Sequence, residues 1–174
     1  MGGGLLSIYL IIFCSSLYYT PATISSKIDF ANTTQTLDGL EYLKKESSEY
    51  EVIEYLLKNS KPTDVLLESV GEWENAGLIS RSTGVSNVFN WPGHEIQWRG
   101  DNQEFEIRSS DINLIFSTLD NNLTKAKMMK YHINYVYIGP RESQIYSKSN
   151  TDKFQTFMKL VVDSKDSKLY YWEY

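Results

Sequence analysis

The sequence predicts an α/β domain with a small, largely parallel sheet flanked by helices, preceded by one N-terminal transmembrane helix. Short apolar runs rich in β-branched and aromatic residues alternate with helical segments after residue 37, and this alternation is typical of parallel sheets covered by helices. An uncharged apolar stretch at the amino end predicts the membrane helix. We therefore expect a transmembrane helix over residues 1–22, a juxtamembrane linker over 23–36 and an exported α/β domain over 37–174.

The amino-terminal stretch contains no charged residue before Lys27, and residues 5–17 are almost wholly apolar. The uncharged, mostly apolar part spans about 18 residues, close to the roughly 20 that cross a bilayer as a helix. A cleaved signal peptide is the alternative, but it requires a basic residue before the apolar run and small residues at a cleavage site. We expect a single-pass protein of the cell membrane, in contact with lipid, with its C-terminal domain outside the cell. Asn32 and Asn122 each begin a glycosylation sequon, which suits an exported domain.

The first elements of the domain follow from hydrophobic spacing. A helix is predicted over residues 41–59, because apolar residues such as Ile53 and Leu56 recur on one face and charged residues cover the other. The short apolar run at residues 63–68 is typical of a buried strand. Residues 87–91 are expected to form a second strand.

The carboxyl-terminal half continues the alternation. A helix is expected over residues 109–116, with Ser or Asp as its N-cap, and another over residues 123–130, whose basic end suits the helix dipole. The clearest strand is Ile133–Ile138, which is rich in β-forming residues and is followed by a Gly-Pro pair. We expect a helix over residues 153–162 and a last strand over residues 168–172.

Composition and missing motifs exclude several classes of function. The net charge of −5 gives no indication of a nucleic-acid partner. Cys14 is the only cysteine, so neither an intrachain disulfide nor a cysteine metal site is possible. His94 lacks the second histidine four residues later that a zinc-binding helix requires, since position 98 is Trp. Phosphate-binding, dinucleotide-binding and serine-hydrolase motifs are also missing from the sequence. No metal and no cofactor is therefore predicted.

The candidate site lies in residues 80–100, which contain two Trp, two Arg, one His, one Glu and three Gly. This mixture is typical of a functional loop held on a rigid scaffold. Ligands of open α/β sheets bind beyond the carboxyl ends of the strands, so we expect this loop to meet the residues that follow the first and third strands, including Arg141 and Glu142. The candidate substrate-binding residues are Glu68, Arg81, Trp91, His94, Glu95, Trp98 and Arg99.

Each candidate has a chemical rationale and a structural alternative. Arg81 and Arg99 are suited to bind a phosphate or carboxylate, or they form ion pairs with acidic neighbours. Trp91 and Trp98 are suited to stack on a sugar ring or a lipid headgroup, although core packing is the more common fate of tryptophan. His94 is expected to make hydrogen bonds in the fold or to a substrate.

The run LESVGEWENAGLISRSTGVSNVFNWPGHEIQWRG, residues 67–100, resembles the signature of the Chlor_Arch_YYY domain family. This is a domain of unknown function near the carboxyl end of large multi-pass membrane proteins. The similarity extends from about residue 37 onward, and further matching positions are Leu37–Gly39, Arg108, Asp111, Ile112, Ile115, Phe116, Tyr135–Gly139, Glu142 and Tyr146. Asn90 departs from the glycine expected there, which removes the residue best suited to positive φ.

The resemblance implies a relation to integral-membrane glycosyltransferases that use lipid-linked sugar donors. In such enzymes the catalytic acids would lie between membrane helices that are not in this sequence, so the chain is expected to be a carboxyl-terminal fragment or split-gene product. Its expected role is recognition of the acceptor or of the lipid-linked sugar donor. One alternative is an interaction module that docks on a separate multi-pass membrane subunit through the same loop. Another is a hydrolase that uses Glu68 or Glu95, which requires two carboxylates about 5 to 10 Å apart.

Overall fold

The computed structural model describes residues 3–27, 36–73, 76–100 and 103–173, without the side chains of residues 3, 45 and 46. The chain divides into two compact units, Met1–Gly39 and Leu40–Tyr174. Each unit is described by itself below.

The first unit contains helix α1, Gly3–Lys27, whose described side chains are almost all exposed. By length and composition, Gly4–Lys27 is able to cross a membrane, a criterion that a signal sequence near the amino end also meets. The first part of the predicted linker continues this helix to Lys27. The remaining linker residues 28–35, with the Asn32 sequon, lie outside the described residues.

The second unit contains short helices and five strands among its described residues. The helices are α2 (Glu41–Glu46), α3 (Glu49–Asn59), α4 (Leu78–Thr83), α5 (Pro92–Arg99), α6 (Gln103–Ser117), α7 (Asn121–Lys130), α8 (Pro140–Ile145) and α9 (Lys148–Asp152), followed by a 3-10 turn at Lys153–Thr156. The strands are β1 (Val65–Leu67), β2 (Ser86–Asn87), β3 (Ile133–Ile138), β4 (Lys159–Ser164) and β5 (Ser167–Tyr171).

The strands form one sheet in the order β2-β1-β3-β5-β4. Strand β1 pairs in parallel with β2 and β3, whereas β5 pairs antiparallel with β3 and β4. The predicted α/β class, with helices flanking the sheet and an apolar helix at the amino end, is confirmed. The sheet itself is mixed, because its carboxyl-terminal part is the antiparallel hairpin β4–β5.

The hairpin replaces a predicted helix, and the prediction for residues 153–162 was wrong. Phe154, Met158 and Val162 recur at four-residue spacing, which imitates the apolar face of a helix. In the structure, Phe154 and Met158 enter the core from the 3-10 turn and the bend after it, and Val162 packs from strand β4 on the other cluster of apolar side chains. The apolar residues that predicted one helix are thus divided between the 3-10 turn with its following bend and strand β4.

Three other segments differ from their sequence pattern. The helix predicted over residues 41–59 is broken at Ser47, whose Oγ accepts a hydrogen bond from the backbone N–H of Glu49. Helix α6 begins at Gln103, so Asp111 is a buried residue within the helix and not an N-cap. The segment predicted as a loop, residues 80–100, contains most of α4 and all of α5.

Apolar clusters cover the sheet on both faces. Successive residues of β1 and β3 alternate between them: Leu67 and Val136 belong to one cluster, and Leu66 and Tyr135 belong to the other. Five of the six residues of β3 are buried. Burial on both faces is what an α/β layer requires, and it makes the central strands a rigid platform for the segments that follow them.

Candidate functional site

The carboxyl ends of three strands lie at one edge of the sheet, because β2, β1 and β3 run parallel. Glu68 follows β1, the segment leading to Trp91 follows β2, and Gly139 follows β3. The predicted meeting of strand ends at one edge is therefore present, although β2 is only two residues long and ends at Asn87.

A cleft of about 900 Å³ opens beside this edge. Its volume falls within the range of small-molecule sites in proteins. Five of the candidate residues line it: Arg81, Trp91, His94, Glu95 and Arg99. Glu68 and Trp98 are not among the lining residues. The other lining residues are Trp73, Ala76, Gly77, Asn87, Val88, Phe89, Asn90, Glu104, Phe105 and Arg108.

Glu68 lies beneath the site as a helix cap. Its side chain is buried, and its two carboxylate oxygens accept hydrogen bonds from the backbone N–H groups of Ile79 and Ser80, each at 3.0 Å. Burial raises the pKa of Glu68 to about 7, although the two backbone hydrogen bonds oppose this shift. Because α4 begins with these N–H groups, Glu68 attaches the helix that carries Arg81 to the end of β1.

Ser80 connects α4 to the segment after β2. Its Oγ accepts hydrogen bonds from the side-chain amides of Asn87 and Asn90, both at 2.8 Å, and donates one to the carbonyl of Gly77 at 3.2 Å. Asn90 does not have positive φ, so the absence of glycine at this position costs no backbone strain. Its Oδ1 is buried and has no hydrogen-bond partner among the described residues.

An aromatic ladder runs along the cleft and onto α5. We use this name for Trp73, Trp91, His94 and Trp98. Trp91 meets Trp73 edge to face at 5.6 Å and stacks on His94 at 4.9 Å, and His94 meets Trp98 edge to face at 6.0 Å. The ends of the ladder remain open to solvent, since Trp73 is 69% exposed and Trp98 is 73% exposed. Aromatic faces of this kind are surfaces on which planar or ring-shaped ligands stack.

Three arginines line the same cleft, and they differ in the ion pairs that they form. Arg99 pairs with Glu95 at 3.1 Å, and Arg108 pairs with Glu104 at 2.9 Å and donates to the Val88 carbonyl at 3.2 Å. Arg81 is exposed, and its guanidinium forms no ion pair or hydrogen bond with the described residues. Among the arginines of the described cleft, Arg81 is therefore the one whose guanidinium has no partner within the described ranges, and it is the most available to an anionic ligand.

Sequence reasoning missed Trp73 and Arg108 as cleft residues. Arg108 was among the positions of family resemblance, and its spacing of four from Glu104 indicates only a surface ion pair. Trp73 precedes the predicted second strand, residues 87–91, by more than ten residues, and only the fold brings it into contact with Trp91. Neither had a local signal that distinguishes a site residue from an ordinary surface residue.

Arg141 and Glu142 fasten strand ends together outside the cleft. Glu142 accepts hydrogen bonds from Ser69 N–H at 3.0 Å, from Ser69 Oγ at 2.6 Å and from Gly139 N–H at 3.0 Å. Arg141 donates to Ser69 Oγ at 3.1 Å and to the Val70 carbonyl at 2.6 Å. These bonds join the ends of β1 and β3 and account for the burial of Glu142.

The carboxylates of the hydrolase alternative line different cavities. Glu68 borders a small cavity of about 140 Å³, whereas Glu95 borders the large cleft and is paired with Arg99. Nowhere in the described ranges do three or more His, Cys, Asp or Glu side chains form a group that could hold a metal ion.

Comparisons with known proteins add little to this geometry. No protein-family model matches the chain, and no curated protein matches it. Among solved structures, it is similar to the C-terminal globular domain of oligosaccharyltransferase from Archaeoglobus fulgidus, with 13% identity and a TM-score of 0.46, over 81% of this chain and 100% of that chain. A likeness this distant carries no argument about function, and the Chlor_Arch_YYY resemblance stays a prediction.

Proposed function

We propose that this protein is a membrane-anchored accessory domain of glycosylation that recognises a lipid-linked sugar in the cleft beside the parallel strands. The observation that carries the proposal is the convergence of Arg81, Arg99 and Arg108 with Trp91 in one cleft of about 900 Å³. Guanidinium groups bind phosphate through paired hydrogen bonds, and tryptophan faces stack on sugar rings. A sugar joined to a lipid through phosphate requires both kinds of contact.

The arginine and tryptophan side chains of the cleft are attached to backbone that is held in place by neighbouring contacts. Arg81 belongs to α4, whose first turn is held by Glu68 and by the contacts of Ser80. Trp91 immediately precedes α5 and is held between Trp73 and His94. A ligand that contacts Arg81 and Trp91 would therefore meet side chains attached to a preformed scaffold, which lowers the entropic cost of binding.

The anchor fits this ligand class. Helix α1 is long and apolar enough to cross a bilayer, and a lipid-linked sugar is confined to the membrane surface. Confinement of protein and ligand to one surface raises their effective concentration. The domain would supply recognition, with transfer chemistry provided by a membrane-embedded enzyme.

Binding by the full chain in lipid nanodiscs tests the proposal. We would titrate a short-chain polyprenyl diphosphate carrying N-acetylglucosamine, the same diphosphate without sugar, and free N-acetylglucosamine. The sugar-bearing lipid should bind most tightly. Arg81→Gln should weaken its binding roughly tenfold or more, because a charged hydrogen-bonding pair contributes about 1.5 to 3 kcal/mol. Trp91→Leu should reduce the preference for the sugar-bearing form.

Lys58→Gln is the matched control, since Lys58 is an exposed cation on α3 outside the cleft. If the three probes bind equally, or if Arg81→Gln and Lys58→Gln behave alike, the proposal is wrong.

A second candidate function is docking on a separate multi-pass membrane subunit. It is favoured by α5, which has no buried residue and exposes Ile96 and Trp98. A photo-crosslinking side chain at Gln97 should then give one discrete product with a membrane protein, and Trp98→Ala should abolish it. Retention of sugar-lipid binding in Trp98→Ala would separate docking from recognition.

A further inference from the structure

A second cavity, of about 470 Å³, lies at the antiparallel part of the sheet. It shares no lining residue with the cleft described above. Its walls come from the end of β3, from α8 and α9, from the β4–β5 turn and from β5. Because β5 runs antiparallel to β3, it begins where β3 ends, and this brings the hairpin turn beside α9.

Three lysines surround this cavity: Lys148, Lys165 and Lys168. Their ammonium groups form no ion pair or hydrogen bond within the part of the chain that the structure describes. Lys168 is fixed on β5 opposite Ile138, and Lys165 adopts φ of 42° in the hairpin turn. The lining also includes Asp152 and Asp166, so three positive and two negative side chains leave one net positive charge for an anionic ligand.

Two buried tyrosines, Tyr146 and Tyr170, line the cavity. Tyr170 is 1% exposed, and Tyr146 stacks on Phe116 at 4.7 Å while its hydroxyl donates to Asn113 at 2.7 Å. Burial raises the pKa of Tyr146 to about 12, so the phenol stays neutral and adds no negative charge to those of the two aspartates at the cavity. An apolar floor with a few polar groups at the rim is the usual construction of a small-molecule site.

Acidic and neutral polar groups complete the rim. Asp152 and Asp166 line the cavity together with the side chains of Ser143, Gln144 and Thr151. Carboxylates accept hydrogen bonds from hydroxyl groups, and hydroxyl and amide side chains both donate and accept them. The rim therefore offers cations for one anionic group and acceptors for several hydroxyls.

We infer that this cavity binds a small anionic sugar, with a phosphate or carboxylate between the three lysines and its hydroxyls on Asp152 and Asp166. A sugar phosphate and a sugar acid share this chemistry. Their relative affinities show whether the anionic group is a phosphate or a carboxylate. This site does not depend on the function proposed for the cleft.

Calorimetric titration of the full chain in detergent micelles tests the inference. Glucose 6-phosphate or glucuronate should bind with measurable heat, and glucose should not. Raising the salt concentration from 0.05 to 0.5 M should weaken binding severalfold, because exposed charges are screened. The triple variant Lys148→Gln, Lys165→Gln, Lys168→Gln should lose at least tenfold in affinity.

Two controls locate the site. Lys159→Gln removes an exposed lysine of β4 that does not line the cavity and should leave binding unchanged. Repeating the titration in the Arg81→Gln background weakens any binding in the other cleft, to which Arg81 belongs, and binding in this cavity should persist there. The inference is overturned if neither anionic sugar binds, if glucose binds equally well, if the triple variant binds normally, or if Arg81→Gln abolishes binding.

Discussion

The buried carboxylate of Glu68 accepts a hydrogen bond of 3.0 Å from the backbone N–H of Ser80 at the start of α4. Its other oxygen accepts an equal bond from Ile79. A negative charge at a helix amino end is favourable, but removal of that charge from water is not. The balance between these effects sets the protonation state of Glu68 and the attachment of α4 to the sheet.

The first prediction concerns the pH dependence that Glu68 imposes on stability. Its pKa in the folded protein is about 7, against 4.5 for a glutamate in the unfolded chain. Below pH 4.5 the group is neutral in both states and its stabilising contribution is fully present. As the pH rises from 4.5 through 7, the unfolded chain ionises before the folded protein does. The free energy of unfolding therefore falls, by about 3.4 kcal/mol at most.

Denaturant unfolding of the full chain between pH 4 and pH 8 measures this effect. Glu68→Gln should remove this decline in the free energy of unfolding. The difference in that free energy between wild type and variant should therefore change between pH 4.5 and pH 7. The exposed Glu106→Gln serves as the control for loss of one carboxylate. A constant difference across this pH range would show that Glu68 is ionised throughout.

The second prediction concerns Gly77, which has φ of 60° at the start of α4. A Cβ at this position would overlap the side chain of Asn90, whereas Gly84, with φ of 76°, has open space around its Cα. Gly84→Ala should cost about 1 kcal/mol because of backbone strain alone. Gly77→Ala should cost clearly more, since the side chain of Asn90 must also leave Ser80.

Thermal or denaturant unfolding of the two alanine variants measures the comparison directly. The loss of unfolding free energy in Gly77→Ala beyond that in Gly84→Ala measures the cost of the contact with Asn90. Equal losses in the two variants would show that Asn90 moves without cost.

The third prediction concerns Asp111, which joins α6 to α7 and the residue after it. Its carboxylate accepts hydrogen bonds from Lys127 at 2.6 Å, Lys130 at 2.8 Å and the Tyr131 hydroxyl at 2.8 Å. These hydrogen bonds outweigh burial and lower the pKa of Asp111 to about 2. Asp111→Asn should lower the free energy of unfolding at pH 7 by about 1 to 3 kcal/mol, as expected for loss of hydrogen bonds to a charged group.

The sign of the pH effect is opposite to that of Glu68. The stabilisation by Asp111 is present above pH 3.8, the pKa of an aspartate in the unfolded chain, and is lost as the pH falls through about 2. The gap between wild type and Asp111→Asn should therefore narrow below pH 4. Asp163 is an exposed residue of β4, so Asp163→Asn should have the same free energy of unfolding as wild type at pH 7.

Much of the fold was predictable because its signals are local. Strand β3 was predicted with its exact bounds, since six β-forming residues are followed by Gly139 and Pro140. The failure at residues 153–162 came from an apolar spacing that a helix and a turn followed by a strand share. Only pairing with β5 decides between them, and pairing is a tertiary contact.

The candidate site was predictable only in part. Arg81, Trp91 and His94 were found because their residue types are unusual for a helix or strand, and the fold places them together in one cleft. Glu68 was expected in the site, but it lies beneath it as a cap of α4. A sequence does not show whether a carboxylate faces a ligand or a helix end, because both suit a strand terminus.

The sequence by itself determined the α/β class, the apolar helix at the amino end and the concentration of arginine and tryptophan between residues 80 and 100. These properties depend on residue type and spacing along the chain. Only the tertiary structure decided that Trp73 meets Trp91, that Arg81 stays unpaired among the described residues while Arg99 does not, and that three lysines surround a second cavity. Such relationships depend on how distant segments pack, and packing is set by the whole set of buried contacts.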